Sequence, residues 1–194
     1  NNGSIAAIGG PQTGVGAGVV RVYQYSTPGI IGGTWTKLGE DIVGEEVDDS
    51  SAANDSISLT GDGSIIAIGA SNNEYNPDEE EGTTGHVRVY EWDDTAWVQK
   101  GFDINGEYVE DQSGWSVSLN NDGTILGISS ILNKGSTNKP ESGQVRVYKW
   151  RQYTQDDQDN LRYHYTSYTQ DQSQTKLLII TENLWSFSNF ILDF

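Results

Sequence analysis

Arg21, Arg88 and Arg146 each stand second in a Val-Arg-Val-Tyr tetrapeptide, at 20–23, 87–90 and 145–148. A guanidinium stays charged and presents a planar fork of donors, so three at matched positions could form a ring that grips an anionic or hydroxyl-rich ligand. The structural alternative is an ion pair made once per unit, with Asp41 or Asp103 as partner, or stacking on a neighbouring aromatic. A residue needed in every copy is better explained by architecture. A second group is acidic: Glu74, Asp78, Glu79, Glu80 and Glu81 crowd one loop. Calcium favours several carboxylate oxygens, but no ligand spacing is evident there, and a solvated loop is the plainer account. The stretches 44–49 (Gly-Glu-Glu-Val-Asp-Asp) and 106–111 (Gly-Glu-Tyr-Val-Glu-Asp) are acidic in both copies. They read either as a divalent-ion rim or as a repeated linker with a capping carboxylate, and the linker is favoured. His86 and His164 lie in unlike surroundings. There is no Gly-x-Ser-x-Gly elbow and no phosphate-cradling Gly-x-x-x-x-Gly-Lys-Ser/Thr loop. The expectation is a protein without catalytic or cofactor-binding residues, whose residue-level metal candidates are the acids of that loop, for calcium without a full ligand motif.

The composition narrows the partners. The chain has 194 residues, with 28 Asp and Glu against 11 Lys and Arg, giving a formal charge of −17. Nucleic-acid binding needs clustered Lys and Arg, so this balance argues against it. No apolar run approaches the length of a membrane-spanning helix, so no membrane insertion is expected. With no Cys there is no disulfide and no thiolate chemistry. Six Trp and ten Tyr are too many for a disordered acidic chain. The absence of Met leads us to expect a fragment or a processed form.

The elements that must position these groups recur. Gly3-Ser4-Ile5-Ala6-Ala7-Ile8-Gly9-Gly10 returns as Gly63-Ser64-Ile65-Ile66-Ala67-Ile68-Gly69-Ala70, and again as Gly123-Thr124-Ile125-Leu126-Gly127-Ile128-Ser129-Ser130. The offset is 60 residues each time. Trp35 and Trp97 open a further matched pair of segments, and Ser56-Ile57-Ser58-Leu59 matches Ser116-Val117-Ser118-Leu119. The alternation is that of strands, and Asp62-Gly63 and Asp122-Gly123 mark tight hairpin turns. The Ile-rich strand is apolar on both faces, so each sheet needs a neighbour on each side. Four antiparallel strands in about 60 residues make a β-propeller blade. The predicted fold is all-β, an incomplete propeller of about two and a half blades: a partial blade at 1–43, a blade at 44–105 and a partial blade at 106–150.

The run Asp-Gln-Ser-Gly-Trp-Ser-Val-Ser-Leu-Asn-Asn-Asp-Gly at 111–123, followed by Gly143-Gln144-Val145-Arg146-Val147-Tyr148, resembles FG-GAP-type, integrin-alpha-like β-propeller repeats. The resemblance covers residues 1–150. It implies an extracellular or surface-displayed propeller used in adhesion or recognition, of a kind abundant in marine microbes and algae, and carries over no catalytic residue. Calcium-binding repeats of that family hold a spaced Asp-x-Asn-x-Asp-Gly loop, of which Asp62-Gly63 and Asp122-Gly123 keep only the end. The expected ligand is a glycan or a protein, held by the rim loops 11–19, 71–86 and 131–144, which differ in length on a fixed scaffold. Two other readings stand beside this one: a structural repeat that self-assembles into a surface layer or filament, and a propeller-based polysaccharide hydrolase or lyase.

All 23 glycines lie at or before Gly143, so 151–194 breaks the pattern. We weigh a shifted reading frame, a diverged terminal blade with a strand at 177–180, and a separate tail. Leu177, Ile180, Leu184, Phe187 and Ile191 also follow helical spacing.

Overall fold

A computed structural model of the chain describes residues 3–10, 16–26, 32–45, 49, 51–52, 56–73, 82–134, 143–152 and 185–190. These residues form thirteen strands and no helix. The first sheet holds β1 (Ile5–Gly10), β2 (Val19–Tyr25), β3 (Trp35–Lys37) and β4 (Ile42–Val43), with β1, β2 and β3 side by side and β4 on the first residues of β2. The second holds β5 (Ile57–Leu59), β6 (Ile65–Ala70), β7 (His86–Trp92), β8 (Trp97–Gln99) and β9 (Ile104–Asn105) in the same layout, with β9 on β7. The third runs β10 (Ser113–Leu119), β11 (Ile125–Ser130), β12 (Gln144–Gln152), β13 (Trp185–Phe190). All neighbours are antiparallel, and the sheets stay open, as the blades of an incomplete propeller do.

Register repeats with the sequence. Arg21 stands opposite Ile8, Arg88 opposite Ile68, and Arg146 opposite Ile128. Residues opposite one another share a face, so each sheet has a valine face and an arginine–tyrosine face. The valine face of one sheet packs on the arginine–tyrosine face of the next. Val20, Val22, Ile42 and Ala52 meet Ile66 and Ile68 at the first seam. Ile65, Ala67, Val87 and Val89 meet Val117, Leu126, Ile128 and Tyr148 at the second. Each fully buried aliphatic side chain contributes roughly 1.5–3 kcal/mol, so these two seams are the core. Their direction leaves one face of each kind open at the ends. Ile8 on the first sheet is 60% exposed and Val145 on the third is 67% exposed, whereas Val20 and Val87, inside the seams, are fully buried.

Two details refine the sequence reading. The tight turns marked by Asp62-Gly63 and Asp122-Gly123 are five-residue connections, 60–64 between β5 and β6 and 120–124 between β10 and β11. Thr60 N–H donates to Ile65 O and Asn120 N–H to Ile125 O, closing each loop. Gly63 and Gly123 take the positive φ, +78° and +70°. A Cβ at either would also lie 2.6 Å from the isoleucine Cδ1 (Ile5 or Ile65) of the preceding sheet. The second concerns the tail. Residues 185–190 form a strand where helical spacing suggested a helix, because Trp185-Ser186-Phe187-Ser188 also alternates with period two and β12 offers an edge. Phe187 stands opposite Trp150 as Trp35 stands opposite Tyr25 and Trp97 opposite Trp92. The strand expected at 177–180 lies outside the described residues.

Candidate recognition rim and interblade seams

The arginines sit at the seams and differ in what covers them. Arg21, on the open face, is exposed and pairs within its own sheet, Nε and NH2 both 2.9 Å from Asp41 Oδ2. Lys37 Nζ reaches the other Asp41 oxygen at 2.5 Å. Hydrogen bonds from Arg21 and then Lys37 hold the Asp41 carboxyl below its ordinary range. Arg88 faces the first sheet, with NH2 2.8 Å from Glu45, Nε 3.6 Å from Asp103, and NH1 donating to the Tyr90 hydroxyl at 3.3 Å. Arg146 is buried at the second seam and, among the described residues, pairs with no carboxylate. Its NH2 donates to Asn105 O at 2.9 Å and Ser113 Oγ at 2.8 Å, and the guanidinium lies 5.6 Å from the Tyr148 ring centre.

The residue that opens the arginine strand differs too. His86 Nδ1 lies 3.9 Å from both Glu45 and Asp103. Burial lowers its pKa from 6.5 to about 4, with Arg88 adding to the shift and Asp103 opposing it, so the imidazole is neutral near pH 7. At the second seam Gln144 stands in that place and donates to Glu107 at 3.1 Å. Glu45, His86 and Asp103 bring three ligand atoms within 4.8 Å of one another. The Arg88 guanidinium already supplies the positive charge between the two carboxylates. A divalent ion beside it would be repelled by about 4 kcal/mol per unit charge at 4 Å in a partly buried setting. We therefore assign this trio to the ion-pair network.

The tryptophans show the same dependence on position. Trp97 Nε1 donates to Leu38 O of the first sheet at 2.9 Å, and its ring lies 5.5 Å from that of Trp92. Gly39 runs under this pair, where a Cβ would come 2.7 Å from the Trp92 ring. Trp35 makes the matching contact with Tyr25, at 5.2 Å, but stays half exposed because no described sheet precedes it.

Asp62 and Asp122 serve the hairpin loops. Asp62 Oδ1 accepts from Ser64 N–H, Ser64 Oγ and Thr60 Oγ1 at 2.7–3.0 Å. Asp122 Oδ1 accepts from Thr124 N–H at 3.0 Å and Thr124 Oγ1 at 2.6 Å. These bonds, backbone Ser64 first for Asp62 and side-chain Thr124 first for Asp122, lower both carboxyl pKa values. One oxygen of each carboxylate is therefore already committed within its own turn. Glu74, Asp78, Glu79, Glu80 and Glu81 lie outside the described residues.

The rim carrying the variable loops is built on a repeated pair that residue patterns did not bring out. Asn73 Nδ2 donates to Asp49 Oδ1 at 3.2 Å, and Asn133 Nδ2 to Asp111 Oδ2 at 2.9 Å, with all four residues buried. Asp111 Oδ2 also accepts from the backbone N–H groups of Glu107 and Tyr108, capping the linker. Each asparagine carbonyl then accepts from the returning strand: Asn73 O from Thr84 and Gly85, Asn133 O from Gly143. The acidic linkers and the loop bases are thus tied together at one end of each sheet. The signal was present in the sequence: Asn73 and Asn133 keep the 60-residue offset just before the loops diverge in length.

No protein-family model matches this chain, and no curated protein sequence is significantly similar to it.

Proposed function

We propose that the protein is a non-catalytic recognition or adhesion module of the FG-GAP-type, integrin-alpha-like kind, displayed outside the cell. It takes a glycan or a protein on the rim formed by loops 11–19, 71–86 and 131–144. The observation that supports this most is the pinned loop base. Buried Asp49–Asn73 and Asp111–Asn133 pairs fix the stems of the second and third loops, while their lengths and sequences differ. A rigid stem under a variable loop is how one scaffold presents different contact surfaces. The acidic surface suits ligands met in salt-rich surroundings and disfavours nucleic acid and anionic membranes.

The test is an array of glycans and surface proteins probed with the full chain, followed by a variant in which 74–81 is replaced by Gly and Ser. Binding weakened at least tenfold with an unchanged melting temperature supports the rim. Equal binding by the variant and by matching replacements in the other two loops removes it. Loss of polymer viscosity on adding the intact protein would favour the hydrolase or lyase reading instead.

A further inference from the structure

The second seam buries more polar atoms than it pairs. Ser113, Ser130 and Gln144 stand abreast on β10, β11 and β12, and Arg146 follows Gln144 two residues on along the same face. Across the seam, Arg146 NH2 donates to Asn105 O of β9. Four side-chain atoms of this group are shut off from solvent with no hydrogen-bond partner among the described residues: Asn105 Oδ1, Ser130 Oγ, Gln144 Oε1 and Arg146 Nε. Protein interiors seldom leave one such atom unpaired, so four in adjoining places point to a shared partner. We propose that a bound water molecule completes the second seam, held by these four atoms. This goes beyond the rim reading and does not rest on it.

The first seam shows where the surplus arises. The same register places Ala70 where the second seam has Ser130, His86 where it has Gln144, and Val43 where it has Asn105. The three unpaired oxygens thus belong to the three residues that differ. Arg88 Nε, the atom matching Arg146 Nε, lies 3.6 Å from Asp103 at the first seam, so the change of neighbours reaches the guanidinium as well. The chemistry of the four atoms selects water. Two are donors, Arg146 Nε–H and the Ser130 hydroxyl, and two are acceptors, the amide oxygens of Asn105 and Gln144. Water offers two lone pairs and two protons, so each atom gains one bond, within the range usual for a buried water. A metal cation would be repelled by the guanidinium and an anion by both amide oxygens. Ammonium has no lone pair to accept from Arg146.

A crystal structure of the full chain at a resolution that orders waters tests this, with water-to-amide Overhauser transfer in solution as a second reading. The expected result is one water within hydrogen-bonding distance of at least three of these atoms, with long-lived transfer to the seam backbone at Ser130. Asn105→Val combined with Ser130→Ala copies the first seam and removes both signals. Ser130→Ala with Gln144→His, which copies Ala70 and His86, takes its place if the first pair fails to fold. In urea unfolding each single substitution is expected to lower the folding equilibrium constant about tenfold, and the pair by clearly less than about a hundredfold, because the atoms lost share one bridge. Direct pairing of Ser130 Oγ with Gln144 Oε1, or an ion held by these atoms, would overturn the proposal. So would a water signal unchanged in the paired variant, or single effects that simply multiply.

Discussion

At the seam between the first and second sheets, Arg88 meets carboxylates and His86 lies beside them. At the seam between the second and third, Arg146 meets a carbonyl and a hydroxyl, and Gln144 donates to Glu107. The apolar halves of the seams match closely, valine face on isoleucine–tyrosine face. The polar halves diverge, and the divergence shows what the repeat requires. A long cationic side chain must span from one sheet to the next and find acceptors. Which acceptors it finds is free to vary: a carbonyl and a hydroxyl take charge-assisted bonds from Arg146 NH2 where carboxylates face Arg88.

The strongest contrast between a packed seam and an open face is steric. Gly69→Ala drives a Cβ against Gly114 O within the second seam and is expected to cost about 3 kcal/mol in urea unfolding. Gly127→Ala, on the open valine face with nothing nearer than 3.8 Å, is expected to gain about 0.5 kcal/mol. Similar values for the two would show that the seams are not close-packed as described.

A smaller effect sharpens the polar contrast. His86 has a folded pKa of about 4 against 6.5 when unfolded. Between these values the unfolded chain binds the extra proton, so its contribution is fully present above pH 6.5 and is lost as pH falls towards 4. The loss is on the order of 3 kcal/mol at pH 4. His86→Gln copies the Gln144 arrangement and should abolish that part of the pH dependence in melts between pH 7 and 4. A variant that keeps the same slope would place the titration elsewhere. Further loss below the ordinary carboxyl range is expected in both proteins, as the lowered Asp41, Asp62 and Asp122 pKa values are crossed.

The smallest effect concerns calcium. Asp62 and Asp122 already accept bonds within their own turns, so EDTA should leave the melting temperature unchanged within about 1 °C, by the scale on which about 1 kcal/mol moves it several degrees. A large drop would show that the turns hold a metal ion.

Much of the fold was legible because its signals are local. Period-two alternation over Val20–Tyr25 and the 60-residue return of the Ile strand fix strands, register and sheet faces with no knowledge of neighbours. The fates of Arg21, Arg88 and Arg146 were not legible: three identical tetrapeptides differ in whether a sheet lies in front of them and in which acceptors stand at the seam. The Asp49–Asn73 and Asp111–Asn133 pairs join a linker to a loop more than twenty residues away, across loops of unequal length. At β13, Phe187 satisfies both helical and strand spacing, and the edge of β12 decides between them.

The recurrent arginines hold sheets together according to what lies in front of them. Urea unfolding of Arg21→Ala, Arg88→Ala and Arg146→Ala tests it in one series. The account predicts losses of about 2–3 kcal/mol for Arg146 and Arg88, whose charged hydrogen bonds cross or line buried seams, and no change in midpoint for the exposed Arg21. Equal losses at all three positions, or none at Arg146, would contradict it.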